Sequence, residues 1–98
     1  MTMQQNNKAN ENMIRVPFYR TTKQHICFRE CVILMKIAEE TGCSIELVSG
    51  QQSGNTDSLL SLLKLGIASG TPIVLALKGA NMEVAYRKCM EVLNGEAA

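Results

Sequence analysis

Five leucines crowd into one short stretch, at Leu59, Leu60, Leu62, Leu63 and Leu65, just ahead of the turn Gly66-Ile67-Ala68-Ser69-Gly70-Thr71-Pro72. The stretch reads as a helix of about two turns, capped by Ser58 or Asp57 and stopped by Gly66. A helix that short has one face to bury. Leu62 and Leu65 can share it, which leaves Leu59, Leu60 and Leu63 on a different side, expected to be exposed. Leucines grouped on the surface of a small domain mark a contact surface, so the segment both constrains the fold and points to protein docking.

The rest of the chain is built from equally short pieces. Met1 to Asn12 is polar and without periodicity, expected to be a disordered tail, with Met13 an alternative start and residues 13–96 the folded domain. Ile14 to Tyr19 alternates like a strand, and Pro17 assigns it to a sheet edge or a bulge. Phe28 to Glu40 is helical and closed by Gly42. Its stripe of Cys31, Val32, Leu34, Met35 and Ala38 is the expected buried face, with Ile33 and Ile37 off it and open to solvent. Ser44 to Ser49 alternates again. Gly50 to Asn55 is turn-rich and leaves room for one very short strand. Pro72 to Gly79 is a strand, and Met82 to Leu93 a last helix burying Ala85, Cys89, Val92 and Leu93. The order β-α-β-β-α-β-α predicts an α+β open-faced β-sandwich: a four-stranded, mostly antiparallel sheet covered on one face by three helices.

With 98 residues the chain makes one domain. A formal net charge of +1 gives no field to draw in nucleic acid or a membrane surface. The apolar runs are too short to span a bilayer and the first residues carry no secretory pattern, so a cytoplasmic location is expected. Cys31, Cys43 and Cys89 are expected to fill the core as small hydrophobes, and Cys27 to be the exception. No second histidine or C-x-x-C pair completes a metal set, no phosphate-binding loop or nucleophile elbow is present, and no cofactor is expected.

The short helix followed by Leu65-Gly66-Ile67 and Gly70-Thr71 resembles HPr, the small histidine-phosphorylated carrier of the bacterial sugar phosphotransferase system. A gapless frame runs from Ile26 to about Leu93. In it the family motif G-[LI]-H-x-R-P-A falls on His25-Ile26-Cys27-Phe28-Arg29-Glu30-Cys31. Ile26 and Arg29 match; the phospho-accepting histidine is replaced by Cys27, and the proline by Glu30. The resemblance implies a phosphoryl group held at a helix N-terminus, where free amides and the dipole stabilise its charge and the arginine helps neutralise its oxygens.

Three readings of that motif stand side by side. The plainest is a degenerate site without transfer chemistry. In the second, Cys27 is the nucleophile or phosphoryl acceptor, with the helix N-terminus and Arg29 favouring the reactive thiolate. In the third, His25 substitutes through a shifted loop. The resemblance also places Ser58 where Gram-positive relatives carry a regulatory serine whose phosphorylated form docks on a transcriptional regulator, the plain alternative being an N-cap serine. Phe28, Ile33, Ile37, Leu59, Leu60 and Leu63 map to the family's partner face, with self-association through the same leucines as the other occupant. The expectation is a regulatory, protein-binding relative of HPr without ordinary histidine phosphocarrier activity, as in Crh-type relatives that act only through the serine. Its partners would be phosphotransferase-system components or a transcriptional regulator. A working relay through Cys27 or His25 and a thiol-based redox-sensitive protein are the alternatives.

Overall fold

The computed structural model describes residues 13–19, 26–65 and 72–94. The elements are β1 (Met13–Tyr19), α1 (Phe28–Thr41), β2 (Cys43–Ser49), β3 (Gln52–Asn55), α2 (Leu59–Leu63), β4 (Pro72–Gly79) and α3 (Met82–Leu93), in the order expected. The strands form one sheet, β1-β4-β2-β3, in which every neighbouring pair is antiparallel. α1, α2 and α3 cover one face, so the architecture is the α+β open-faced sandwich predicted above. The tail before Met13, His25 and the turn from Gly66 to Thr71 lie outside the described residues.

Alternation explains the strands. Ile14, Val16 and Phe18 point towards the helices from β1, and Arg15, Pro17 and Tyr19 point away. Pro17 sits on an edge strand opposite Val74, where the missing N–H is easiest to tolerate. Cys43, Ile45 and Leu47 of β2 and Ile73, Leu75 and Leu77 of β4 are buried beneath the helices. α1 closes on Gly42, which adopts a left-handed φ of 77° and donates its N–H to the Ala38 carbonyl at 2.9 Å.

One glycine explains how α2 is seated. Gly54 faces α2 from β3, and a Cβ built on it would lie 2.5 Å from the Ser61 carbonyl oxygen and 3.0 Å from Leu62 Cα. The helix therefore rests on bare backbone, and Leu62 drops fully into the core beside Leu65. Burying a leucine in this way contributes about 1.5–3 kcal/mol.

Two burial expectations need correction. Ile37 is only 4% exposed and belongs to the core, and Ile33 is half-buried against it. The reason is α3, which packs beside α1, so that Ile33 and Ile37 share a shallow groove with Lys88, Glu91 and Val92. An ion pair between Lys88 Nζ and Glu40 at 3.8 Å lies across the same two helices. With sheet below and a helix alongside, α1 buries Cys31, Leu34, Ile37 and Thr41, while Val32, Met35 and Ala38 are only partly covered. Leu59 and Leu63 were likewise expected on the surface. Both are partly buried and packed on the core, and among the leucines of α2 Leu60 is the exposed one, at 60%.

Candidate functional site

The candidate positions read from the sequence fall at two places, the N-terminus of α1 and the loop that starts α2. Ile26 is buried and anchors the chain as it enters α1, and Cys27 follows as the N-cap residue with extended backbone, φ −111° and ψ 169°. Its thiol is exposed. Arg29 is exposed too, and makes no ion pair with another described residue. Glu30 reaches back across the first turn, where its Oε1 accepts the Cys27 backbone N–H at 3.0 Å. A carboxylate in this position satisfies one of the amides that a helix start leaves open and complements the positive end of the dipole. From the sequence, Glu30 reads as a departure from the family motif that suits the helix dipole and would repel a phosphoryl group, without its bond to the cap residue. The signal was its i, i+3 spacing from the N-cap, obscured because cysteine is not a customary cap.

Ser58 is the N-cap of α2, its hydroxyl oxygen accepting the Ser61 N–H at 3.2 Å. Ser61 Oγ in turn accepts the Asn55 N–H at 3.0 Å and lies 2.7 Å from the Ser58 carbonyl oxygen, to which it can donate. Asn55 Oδ1 takes the Asp57 N–H at 2.9 Å. The loop is thus held by short-range polar contacts, with Ser58 itself exposed.

Between α1 and α2 runs an open groove of about 510 Å³, with Val32, Met35, Ala38 and Leu59 along it and Lys36, Glu39 and Asp57 among its polar lining. The structure brings Leu59 to this groove. Ile33 and Ile37 lie on the opposite flank of α1, towards α3, so they do not extend the leucine cluster. Phe28, 59% exposed at the start of α1, and Leu60 are the large apolar side chains left open on these two helices. Cys31, Cys43 and Cys89 are buried, and burial, reinforced by the neighbouring Cys43, pushes the Cys89 thiol up to about 12. Cys27 is therefore the thiol available at the surface. Among the described residues no cluster of three or more His, Cys, Asp or Glu could hold a metal ion.

Residues 21–94 match the model of the PTS HPr component phosphorylation site. The chain belongs to the HPr family. The match spans the α1 N-terminus, the α2 loop and all of β2, β3 and β4. Solved HPr structures share the fold. The phosphocarrier protein HPr of Bacillus anthracis str. Ames superposes with a TM-score of 0.71 at 17% identity, over 83% of this chain and 96% of its own. HPr-C-His of Thermoanaerobacter tengcongensis gives 0.70 at 18% identity, covering 87% and 99%. Crh, described as the catabolite repression containing protein of Bacillus subtilis and as a swapped dimer, gives 0.65 at 19% identity over 79% and 88%. No curated protein matches the sequence. No described helix is long and apolar enough to cross a membrane.

Proposed function

We propose that this HPr-family protein works as a regulatory docking module in the cytoplasm rather than as an ordinary histidine phosphocarrier. One observation carries the reading: at the N-terminus of α1 the cap is Cys27, and its backbone N–H is already engaged by the carboxylate of Glu30. A phosphoryl group placed on this helix start would meet a negative charge where the carrier motif has proline, and would compete with Glu30 for the amide. Arg29 remains, and its exposed guanidinium suits contact with an acidic patch on a protein partner.

The opposite balance holds at α2. Ser58 is exposed, its hydroxyl caps the helix through the oxygen alone, and Leu60 stands beside it for a partner to bury. Phosphate on Ser58 would add charge next to that apolar contact, and Asp57 already supplies one negative charge there. Crh offers the precedent of a relative acting through this serine. Phosphotransferase-system proteins or a transcriptional regulator would be the partners.

The experiment is label transfer from phosphoenolpyruvate through the general phosphotransferase enzyme to the wild-type chain, Cys27→Ala and His25→Ala. No label on wild type is expected. Label lost with Cys27→Ala or with His25→Ala would establish the relay and overturn the reading. In parallel, the serine kinase of the system is expected to modify wild type and not Ser58→Ala. An unmodified Ser58 together with no partner binding to a surface lost in Leu60→Ala would remove the regulatory role.

A further inference from the structure

The sheet face turned away from the helices carries a self-complementary pattern. Register places Arg15 of β1 and Glu46 of β2 on either side of Ala76 of β4. One step along, it places Pro17 and Val48 on either side of Val74. Alternation turns all six away from the helices, and Tyr19, 66% exposed, and Pro72 extend the apolar row. Neither Arg15 nor Glu46 forms an ion pair with another described residue.

We propose that two copies of this chain pack sheet to sheet across a two-fold axis running along β4. Such an axis exchanges β1 with β2 and leaves each row in place. Arg15 of each copy then meets Glu46 of the other, and Pro17 meets Val48, while Val74 meets its own counterpart; Ala76, only 6% exposed, stays covered. A two-fold across the strands would instead set Arg15 on Arg15 and Glu46 on Glu46, so the charges select the first arrangement. Facing sheets lie about 10 Å apart, a gap that an arginine and a glutamate together can close. Lys78 faces its own copy, but it sits at the end of the strand, where its stem can carry the ammonium out to water.

Size sets the strength. Three strands about 4.8 Å apart and seven residues long at about 3.3 Å give a footprint of roughly 300 Å² on each copy. That is below the standard interface, so the dimer is a weak one, with Kd on the order of 0.1–1 mM. It would leave both copies of α1 and α2 facing outward, free for partners.

The test uses the full chain in sedimentation equilibrium and in concentration-dependent amide NMR, up to about 1 mM. Expected are a monomer–dimer equilibrium weakened by salt and shifts confined to β1, β4 and β2. Arg15→Glu and Glu46→Arg should each weaken association at least about tenfold, and the double variant should restore it to within about threefold of wild type. A monomer throughout the range overturns the proposal. So does a dimer whose shifts map to α1 and α2, or a double variant no stronger than the singles. If the chain stays monomeric but deletion of residues 1–12 shifts Pro17 neighbours, Val48 and Val74, the N-terminal segment is the occupant and the dimer is likewise excluded.

Discussion

The carboxylate of Glu30 accepts the backbone N–H of Cys27, three residues earlier, at 3.0 Å. This bond makes the start of α1 a self-closed cap. Glu30→Ala is expected to lower stability by about 0.5–1 kcal/mol, the usual worth of one cap or dipole contact. Glu30→Gln should retain part of it, because the amide oxygen can still accept. Urea denaturation of the three proteins checks the ranking; equal midpoints would show that the bond contributes nothing in solution.

Thiol chemistry should separate Cys27 from the other cysteines. With a coloured disulfide reagent at neutral pH, the native chain is expected to react rapidly at one thiol of its four and the unfolded chain at all four. Cys27→Ala should abolish the fast phase alone. A fast phase of two or more thiols would mean that the helices open readily over Cys31, Cys43 or Cys89.

Alkaline pH provides a test of the Cys89 environment. Its thiol is held up to about 12 from the ordinary 9.0, chiefly by burial. The folded chain therefore keeps this proton after the unfolded chain has lost it. The contribution is fully present below about pH 9 and declines as pH rises towards 12, by up to about 1.4 kcal/mol per unit. Between pH 9 and 11, wild type should lose stability more steeply than Cys89→Ala, whatever their difference at pH 7. Parallel slopes would contradict the buried, neutral thiol.

Gly54 and Gly50 make a controlled pair. Alanine at position 54 would drive its Cβ into the backbone of α2, whereas at Gly50 nothing lies within 4 Å and the only penalty is a left-handed φ of 62°. Gly54→Ala is expected to cost about 2–3 kcal/mol and Gly50→Ala about 1 kcal/mol. Thermal or urea unfolding decides between them, and amide exchange in α2 should accelerate in Gly54→Ala.

Leu62 and Leu60 separate a buried position from an exposed one, and so stability from the docking proposed for α2. Leu62→Ala empties a fully buried site and should cost about 2–5 kcal/mol. Leu60→Ala should leave the unfolding midpoint within about 0.5 kcal/mol of wild type and weaken partner capture at least about tenfold. A large stability loss in Leu60→Ala would make the residue structural.

The sequence was most legible where one period dominated. Alternation identified β1 and β2, the apolar run after the turn marked β4, and the split of Leu62 and Leu65 from Leu60 followed from helical spacing. It was least legible where an element has two neighbours. The periodicity of α1 defines a stripe, yet the breadth of its buried face depends on α3, which packs beside it from elsewhere in the chain; this is why Ile37 was misjudged. Leu59 and Leu63 were misjudged for a related reason, since Gly54 lets α2 sink close to β3. At the site, the positions of Cys27, Arg29 and Ser58 followed from the family frame. The sequence showed that Glu30 suits the helix dipole, but not that it closes back on the Cys27 N–H, because cysteine is not a customary cap.

A helix seated on glycine owes its position to atoms common to every residue type. The backbone of α2 lies against the backbone of β3 at Gly54, so exchanging Leu60 changes the exposed surface of α2 without changing where the helix sits. Recognition and architecture can then diverge at separate rates in descendants of this chain: the exposed position can be rewritten freely, provided that one residue on the neighbouring strand never acquires a side chain.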